Sequence, residues 1–242
     1  MLKCNICNNS FETLKSNTHI IPRCLIVETK ENGKNVYISP RKLHERNQTD
    51  LVLDNGWCEF CEKLFSEDDA FAKLFIKDKK YIIGQRTSKI KNEIELGIEE
   101  HEATCGPPLK RFLVGIILRH SIFLMIKESL DLLGPHFEAL RELYFTSKTS
   151  DASYPLSIIK YTDLRLMGYP TREKYQGLNA VSGIFGSYKM ILFVNKQHLC
   201  PKEFEQLLIT SKQVRILVTT SNDSNMKKEI IKRITDLKGK EE

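Results

Sequence analysis

Two Cys-x-x-Cys pairs near the start of the chain constrain its fold more than any other feature. The first pair is Cys4 and Cys7, and the second is Cys58 and Cys61. A two-residue spacer lets both sulfurs of a pair point at one ion, so the two pairs can supply four thiolates in a tetrahedral arrangement. Zinc is the metal that this geometry favours. Iron–sulfur ligation is the alternative, but the symmetric pairing and the absence of a third cysteine near the second pair argue against it.

The composition is that of a folded globular protein with a mild basic excess. Of the 242 residues, 41% are hydrophobic and 28% are charged, which excludes a fibrous or disordered chain. This length can bury one large core or two smaller ones, and we expect two domains, at residues 1–78 and 79–242. The net charge of +6 permits binding to a polyanion but does not require it.

Positive charge is concentrated just after the second cysteine pair. Residues 1–65 carry nine Lys and Arg against eight Asp and Glu, whereas residues 73–91 carry seven basic side chains against Asp78 alone. The seven are Lys73, Lys77, Lys79, Lys80, Arg86, Lys89 and Lys91. Such a cluster suits phosphate contacts, and a solvated charged surface is the alternative.

The other cysteines and the start of the chain indicate a reducing location. Met1 leads directly into the first cysteine pair without the apolar stretch of a signal peptide, so we expect a cytoplasmic protein. In that compartment Cys24, Cys105 and Cys200 are expected to be packed thiols rather than disulfides.

The most apolar stretch of the chain covers residues 112–126. It is interrupted by Arg119 and His120 and is too short to cross a bilayer. We therefore predict a buried helix there and no association with a membrane.

The periodicity of the chain predicts an α+β fold. A long loop or hairpin is expected at 28–53, and a helix is expected after Ser66, because acids at 67–69 are typical of a first helical turn. Gly134-Pro135 separates two apolar-rich segments that should form a long helical hairpin, and later alternating segments predict a small antiparallel sheet. The predicted helices cover 67–76, 109–133, 136–147, 201–212 and 225–237, a partly helical segment covers 88–102, and the strands cover 155–161, 180–185, 189–194 and 214–220.

The order of the N-terminal motifs resembles the zinc-containing HNH endonucleases. The cysteine pairs enclose Thr18-His19-Ile20-Ile21-Pro22-Arg23, and a polar residue, Glu62, follows the last cysteine. The resemblance covers residues 4 to about 77, and residues 18–23 together with 58–66 are also similar to a variant group of bacterial HNH-like proteins met in phage-defence loci. It implies an N-terminal zinc-stapled ββα-metal (His-Me finger) unit ahead of the larger α+β domain. The implied activity is hydrolysis of phosphodiester bonds in DNA for antiviral defence, with RNA as an open alternative.

The resemblance also implies roles for individual residues. In that family the histidine of the His-Ile-Ile-Pro element is the general base, and His19 stands at this position. A hard divalent ion, Mg²⁺ or Mn²⁺, neutralises charge at the scissile phosphate, and Glu62 is its implied carboxylate ligand. Thr18 stands where the family often has an acidic or histidine ligand, and it offers only a neutral hydroxyl.

Three weaker assignments follow from the same resemblance. The middle asparagine of the family steadies the loop that carries the histidine, and Asn47 and Asp50 are the candidates for it here. Arg23 and Arg46 are implied to contact phosphates that flank the cut.

Two other functions fit the same sequence. One is a zinc-bearing nucleic-acid-binding module without catalysis, which Thr18 favours. In the other, the larger domain is a docking surface that recruits a regulatory partner such as an ATPase and keeps the nuclease silent. Catalysis requires His19 and Glu62 to face one cavity, and the binding module does not.

Overall fold

A computed structural model of the chain describes residues 1–22, 25, 35–38, 43–46, 52–77, 81–90, 94–146, 153–164 and 166–219. The helices among them are α1 (Glu59–Lys77), α2 (Gly106–Glu128), α3 (Phe137–Thr146) and α4 (Lys202–Glu205). The strands are β1 (Leu2–Lys3), β2 (Ser10–Phe11), β3 (Thr18–His19), β4 (Asn35–Ile38), β5 (Leu43–Arg46), β6 (Val52–Leu53), β7 (Ile82–Ile90), β8 (Ile94–His101), β9 (Leu156–Tyr161), β10 (Leu166–Tyr175), β11 (Leu178–Gly186), β12 (Tyr188–Phe193) and β13 (Val214–Thr219).

The N-terminal region consists of short strand pairs followed by one long helix. Strands β1 and β2 pair antiparallel on either side of the first Cys-x-x-Cys turn. Strand β3 pairs antiparallel with β6, with Thr18 opposite Leu53 and His19 opposite Val52. Helix α1 begins directly after Cys58, with Glu59 and Glu62 in its first turn, where acids complement the helix dipole. The second cysteine pair therefore lies at the helix start.

The described strands of the rest of the chain form one nine-stranded mixed sheet. Its order is β5-β4-β10-β11-β12-β9-β13-β8-β7, with β4/β10 and β9/β13 parallel and the other neighbours antiparallel. The β10–β11 hairpin turns at Gln176 and Gly177, which both have positive φ, as a tight hairpin turn requires.

Helix α2 is the central element of the core. Its residues from Phe112 to Leu124 are all buried, which is expected of a helix that is apolar on every side. Pro107 and Pro108 lie in its first turn. Backbone N–H groups have no intrahelical partner there, so the N–H groups that proline lacks are not needed. At Gly115 a Cβ atom would lie 3.0 Å from Tyr144 and 3.4 Å from Phe65, so the glycine lets α1 and α3 approach α2 closely.

Several expectations agree with this structure. The mixed α+β composition, the hairpin within 28–53 and the β11–β12 hairpin are confirmed, and 112–126 is helical as predicted but buried only to Leu124, since Met125 and Ile126 are exposed. Strands are also present at the four predicted positions, and α2 and α3 form the helical pair on either side of Gly134-Pro135.

Other expectations are wrong. The sheet is not small and antiparallel but large and mixed, because β4, β5, β7 and β8 join it and β10 was not predicted. The described residues of the segment 88–102 are not helical, since they belong mainly to strands β7 and β8, and β8 pairs with both β7 and β13. Helix α1 begins at Glu59 rather than near 67, so Ser66 lies inside a helix and does not cap one. The predicted helix at 201–212 is confined to α4.

Residues from the N-terminal region and from the sheet share one hydrophobic core. One continuous hydrophobic cluster includes Cys4 and Trp57 from the first region and Ile216 from the last described strand. The division into domains at residue 78 stays a prediction. Among the described residues, no helix combines the length and the apolar character that a membrane span needs. The predicted helix at 225–237 lies outside the described residues.

Candidate metal centre and adjoining pocket

The four cysteines of the two pairs converge at the start of helix α1. Their sulfur atoms all lie within 4.8 Å of one another, and Cys4, Cys58 and Cys61 are buried while Cys7 is half-buried. The Asn5 side chain donates a hydrogen bond of 2.8 Å to the Gly56 carbonyl, which joins the first pair to the segment before the second. Residues fifty positions apart in sequence thus form one site.

The sulfur separations match a tetrahedral zinc site. Cys4 Sγ lies 3.8 Å from Cys61 Sγ, and Cys7 Sγ lies 3.7 Å from Cys58 Sγ. Four sulfurs that are each about 2.3 Å from one central zinc ion lie about 3.8 Å apart. The donor set and its dimensions therefore fit zinc, and these four residues would hold it.

The protonation of these thiols also indicates a cation site. Hydrogen bonding from Cys61 lowers the pKa of Cys4 to about 4, and the backbone N–H groups of Cys7 and Cys58 donate to the Cys4 sulfur as well. The hydrogen bond to Cys4 and burial raise the pKa of Cys61. Four thiolates at this spacing repel one another, so all of them can ionise together only around a positive ion.

His19 and Thr18 lie next to this cluster but face different surroundings. The Thr18 hydroxyl is fully buried and donates a hydrogen bond of 2.6 Å to the Leu53 carbonyl, across the β3–β6 pair. It therefore supports the strand pair, and its hydroxyl is already engaged. His19, the next residue, lines an open pocket of about 390 Å³.

Glu62 lines the same pocket as His19. It lies in the first turn of α1, directly after Cys61, and one of its carboxylate oxygens accepts a hydrogen bond of 2.6 Å from the indole Nε1 of Trp57. Trp57 is fully buried, so this hydrogen bond fixes the orientation of the Glu62 carboxylate.

One face of helix α1 forms a wall of the pocket. Glu62, Ser66, Asp69 and Lys73 are four, three and four positions apart, so they lie on one side of the helix. Phe65 and Ala70 complete this wall. The pocket thus combines two carboxylates, one lysine and one histidine.

Arg119 of helix α2 closes the pocket from the other side. Only 2% of its side chain is exposed, and both terminal nitrogens donate to Asp69, from Nη1 to Oδ2 at 3.1 Å and from Nη2 to Oδ1 at 2.8 Å. Its guanidinium also lies 4.7 Å from the centre of the Phe65 ring. Burial acts to lower the pKa of Arg119, but Asp69 outweighs it and the net pKa is raised, so this residue stays charged.

The structure describes only some of the other residues that the sequence predicts for the site. Lys73 and Lys77 are exposed on α1, and Lys73 lines the pocket. Arg46, Arg86 and Lys89 lie on strands β5 and β7. Arg23, Asn47, Asp50, Lys79, Lys80 and Lys91 fall outside the described residues, as does Cys24, and their roles stay predictions.

Sequence reasoning missed three polar residues of this region. Asp54 accepts a hydrogen bond of 3.1 Å from the backbone N–H of Asn17, two positions before His19. Asp69 lies seven positions after Glu62, and this two-turn spacing would have identified it if the helix had been predicted from residue 59. Arg119 has no local sequence signal, because it reaches the pocket from an element that begins 47 positions after α1 does.

The pocket differs from the cysteine cluster in how closely its ligands gather. Among the residues that the structure describes, the four cysteines are the one group of three or more metal-ligating side chains close enough to share an ion. His19, Glu62 and Asp69 line one pocket without forming such a group.

Comparisons with protein-family models, with curated proteins and with solved structures found no match for the chain.

Proposed function

We propose that this chain is a metal-dependent endonuclease of HNH-like type, which hydrolyses phosphodiester bonds of DNA. The observation that carries the proposal is that His19 and Glu62 line one open pocket beside a four-cysteine cluster. The order of elements supports it too, because strands β3 and β6 pair and helix α1 follows, as in a ββα-metal unit. Asp54 then takes the steadying role that the sequence left to Asn47 or Asp50.

His19 is the general base in this proposal. A neutral imidazole has a ring nitrogen that can accept a proton from water. The water oxygen attacks phosphorus, its proton passes to His19, and the bond from phosphorus to the 3′-oxygen breaks.

Glu62 is the protein ligand of the catalytic divalent ion. Mg²⁺ is commonly held by one or two carboxylates together with substrate phosphate and water, so a complete protein cage is not needed. When bound, such an ion neutralises charge at the phosphate and the leaving oxygen. Glu62 is suited to hold it, because the hydrogen bond from Trp57 occupies one oxygen and orients the other.

A second candidate is a zinc-bearing nucleic-acid-binding module without catalysis. Two observations favour it: the Thr18 hydroxyl is engaged with Leu53, and the pocket carboxylates do not gather around one point among the described residues. The exposed lysines of α1 would then bind phosphates without cutting. Activity in antiviral defence and control by a partner such as an ATPase remain proposals that rest on the sequence alone.

Nicking of supercoiled plasmid in Mg²⁺ or Mn²⁺ distinguishes the two candidates. We expect the wild-type chain to nick DNA and His19→Ala to lose this activity by roughly a hundredfold or more, with zinc content and melting temperature unchanged. His198→Asn is the matched control, because His198 lies outside the pocket and asparagine accepts its positive φ of 53°. DNA binding without nicking in either metal would favour the binding module.

A further inference from the structure

Arg119 belongs to helix α2, yet it lines the same pocket as His19. A charged guanidinium that is only 2% exposed has lost most of its hydration, which is costly unless other groups replace the water. Asp69 and the Phe65 ring supply part of that replacement.

The guanidinium still has unused hydrogen-bonding capacity. Asp69 accepts one hydrogen bond from each terminal nitrogen, which occupies the end of the planar group. Nε of Arg119 is buried and has no hydrogen-bond partner among the described residues. The side edge of the guanidinium, formed by Nε–H and one N–H of the adjacent nitrogen, is the edge that binds two oxygens of an anion at once.

We propose that Arg119 binds the phosphodiester group of the substrate in this pocket, and that Asp69 holds its guanidinium in position. The inference rests on the proposed function for the identity of the anion, a nucleic-acid phosphate. The two non-bridging oxygens of a phosphodiester match the spacing of the N–H groups on the guanidinium edge.

The charges of the pocket agree with this assignment. Lys73 and Arg119 balance Glu62 and Asp69, so the pocket side chains carry little net charge. A divalent ion held by Glu62 would add the positive charge that offsets a singly charged phosphodiester at Arg119. Arg119 is a binding residue here, and Asp69 is a positioning residue.

A neighbouring ion pair provides the matched control. Asp68 and Arg111 join the same two helices as Asp69 and Arg119, and Arg111 Nε donates to Asp68 at 2.7 Å. Asp68 also accepts a hydrogen bond of 2.7 Å from the Tyr144 hydroxyl, and neither Asp68 nor Arg111 lines the pocket.

The test measures binding of a fluorescein-labelled DNA duplex to the full chain without added divalent metal. EDTA is present at a concentration that leaves the zinc in place. The variant is the double substitution Asp69→Asn with Arg119→Gln, which leaves no unpaired charge behind. We expect its dissociation constant to rise about tenfold, while the control Asp68→Asn with Arg111→Gln stays within about twofold of wild type. Equal binding by wild type and the Arg119 double variant would overturn the inference.

A conservative variant separates a binding role from a structural one. Arg119→Lys keeps the positive charge but lacks the guanidinium edge, so we expect intermediate DNA binding with an unchanged melting temperature. It also decides the matter if the double variant does not fold: wild-type affinity in Arg119→Lys would then contradict the inference.

The binding assay keeps this inference distinct from the proposed catalysis. Weaker DNA binding by the Arg119 variants, together with absence of nicking in any metal, supports the inference and contradicts the endonuclease. If those variants nick DNA with an unaltered KM and dissociation constant, the endonuclease is supported and the inference about Arg119 is contradicted. Absence of DNA binding by the wild-type chain would contradict both.

Discussion

The cysteine cluster and the pocket lie on the same helix and are built in opposite ways. The cluster, at the start of α1, is closed, and its four sulfurs lie within 4.8 Å of one another. The pocket, along the next three turns, is open and takes residues from β3, α1 and α2. A structural metal site needs ligands that already touch, whereas a site for a substrate needs space between its polar groups. The cysteine cluster lies where helix α1 starts, and that helix in turn positions the side chains of the pocket.

Removal of zinc should have the largest effect, because it affects both regions. We expect Cys58→Ser to lose the metal and to lower the melting temperature by roughly 10 °C or more, since structural zinc contributes on the order of 10 kcal/mol in small zinc domains. Circular dichroism with parallel metal analysis measures both. Cys200→Ser, outside the cluster, is the control and should melt as wild type does. Equal melting of both variants would mean that the cluster does not support the helix.

Loss of Arg111 should have the next largest effect, because it acts on the contact between α1 and α2 without touching the cysteines. Arg111→Ala leaves the Asp68 carboxylate, 2% exposed, with Tyr144 as its remaining partner. Burial raises the pKa of Asp68, against the hydrogen bonds from Tyr144 and Arg111, so the arginine is needed to keep it charged. We expect the free energy of unfolding to fall by roughly 2–3 kcal/mol in urea denaturation at pH 7.

The double change Asp68→Asn with Arg111→Gln should recover most of that loss, because no buried charge remains unpaired. A single variant as stable as wild type would show that this ion pair does not stabilise the contact between α1 and α2.

Acid should weaken the packing of α2 on the sheet through His120, whose ring contacts Tyr169 and Phe185, by a smaller amount per unit of pH. Burial lowers the pKa of His120 from 6.5 to about 3. The unfolded chain therefore binds one more proton than the folded chain between pH 6.5 and 3, so stability falls as the pH falls through this window, by about 1.4 kcal/mol per unit.

His120→Phe should remove that part of the pH dependence, which comparison of urea midpoints between pH 6.5 and 5 detects. Any loss of zinc in acid is common to both proteins and cancels in the difference. Parallel curves for wild type and variant would contradict the assignment of this proton to His120.

The contrast between the two regions also explains what could be predicted from the sequence. The cysteine pairs were recognisable because each pair is local and its spacing reports the geometry of a metal ion. Glu62 was singled out because it follows Cys61 directly, and His19 because the His-Ile-Ile-Pro element between the pairs resembles that of the HNH endonucleases. Arg119 was expected to make a polar contact to another element, which its pairing with Asp69 confirms, but the partner could not be named because the contact bridges 50 positions and depends on how α2 packs.

The misplaced start of α1 had a physical cause. Ser66 and the acids at 67–69 have the composition of a helix start, but Asp68 and Asp69 are paired with arginines of α2 inside the helix. The helix begins at Glu59 instead, directly after Cys58, where the four cysteines converge. Strand β8 lies in the segment 88–102 that was expected to be partly helical, because its pairing with distant β13 leaves no mark on the local sequence.

The dependence of cleavage on Mn²⁺ concentration in Glu62→Gln tests the proposed site most directly. Glutamine keeps an acceptor for the Trp57 indole and removes only the charged ligand. Glu59→Gln is the matched control, because Glu59 lies in the same helical turn but is exposed and paired with Lys15. We expect the Mn²⁺ midpoint to rise by about tenfold or more in Glu62→Gln and to stay unchanged in Glu59→Gln. The same midpoint in Glu62→Gln and wild type would contradict a divalent ion bound at Glu62 beside His19.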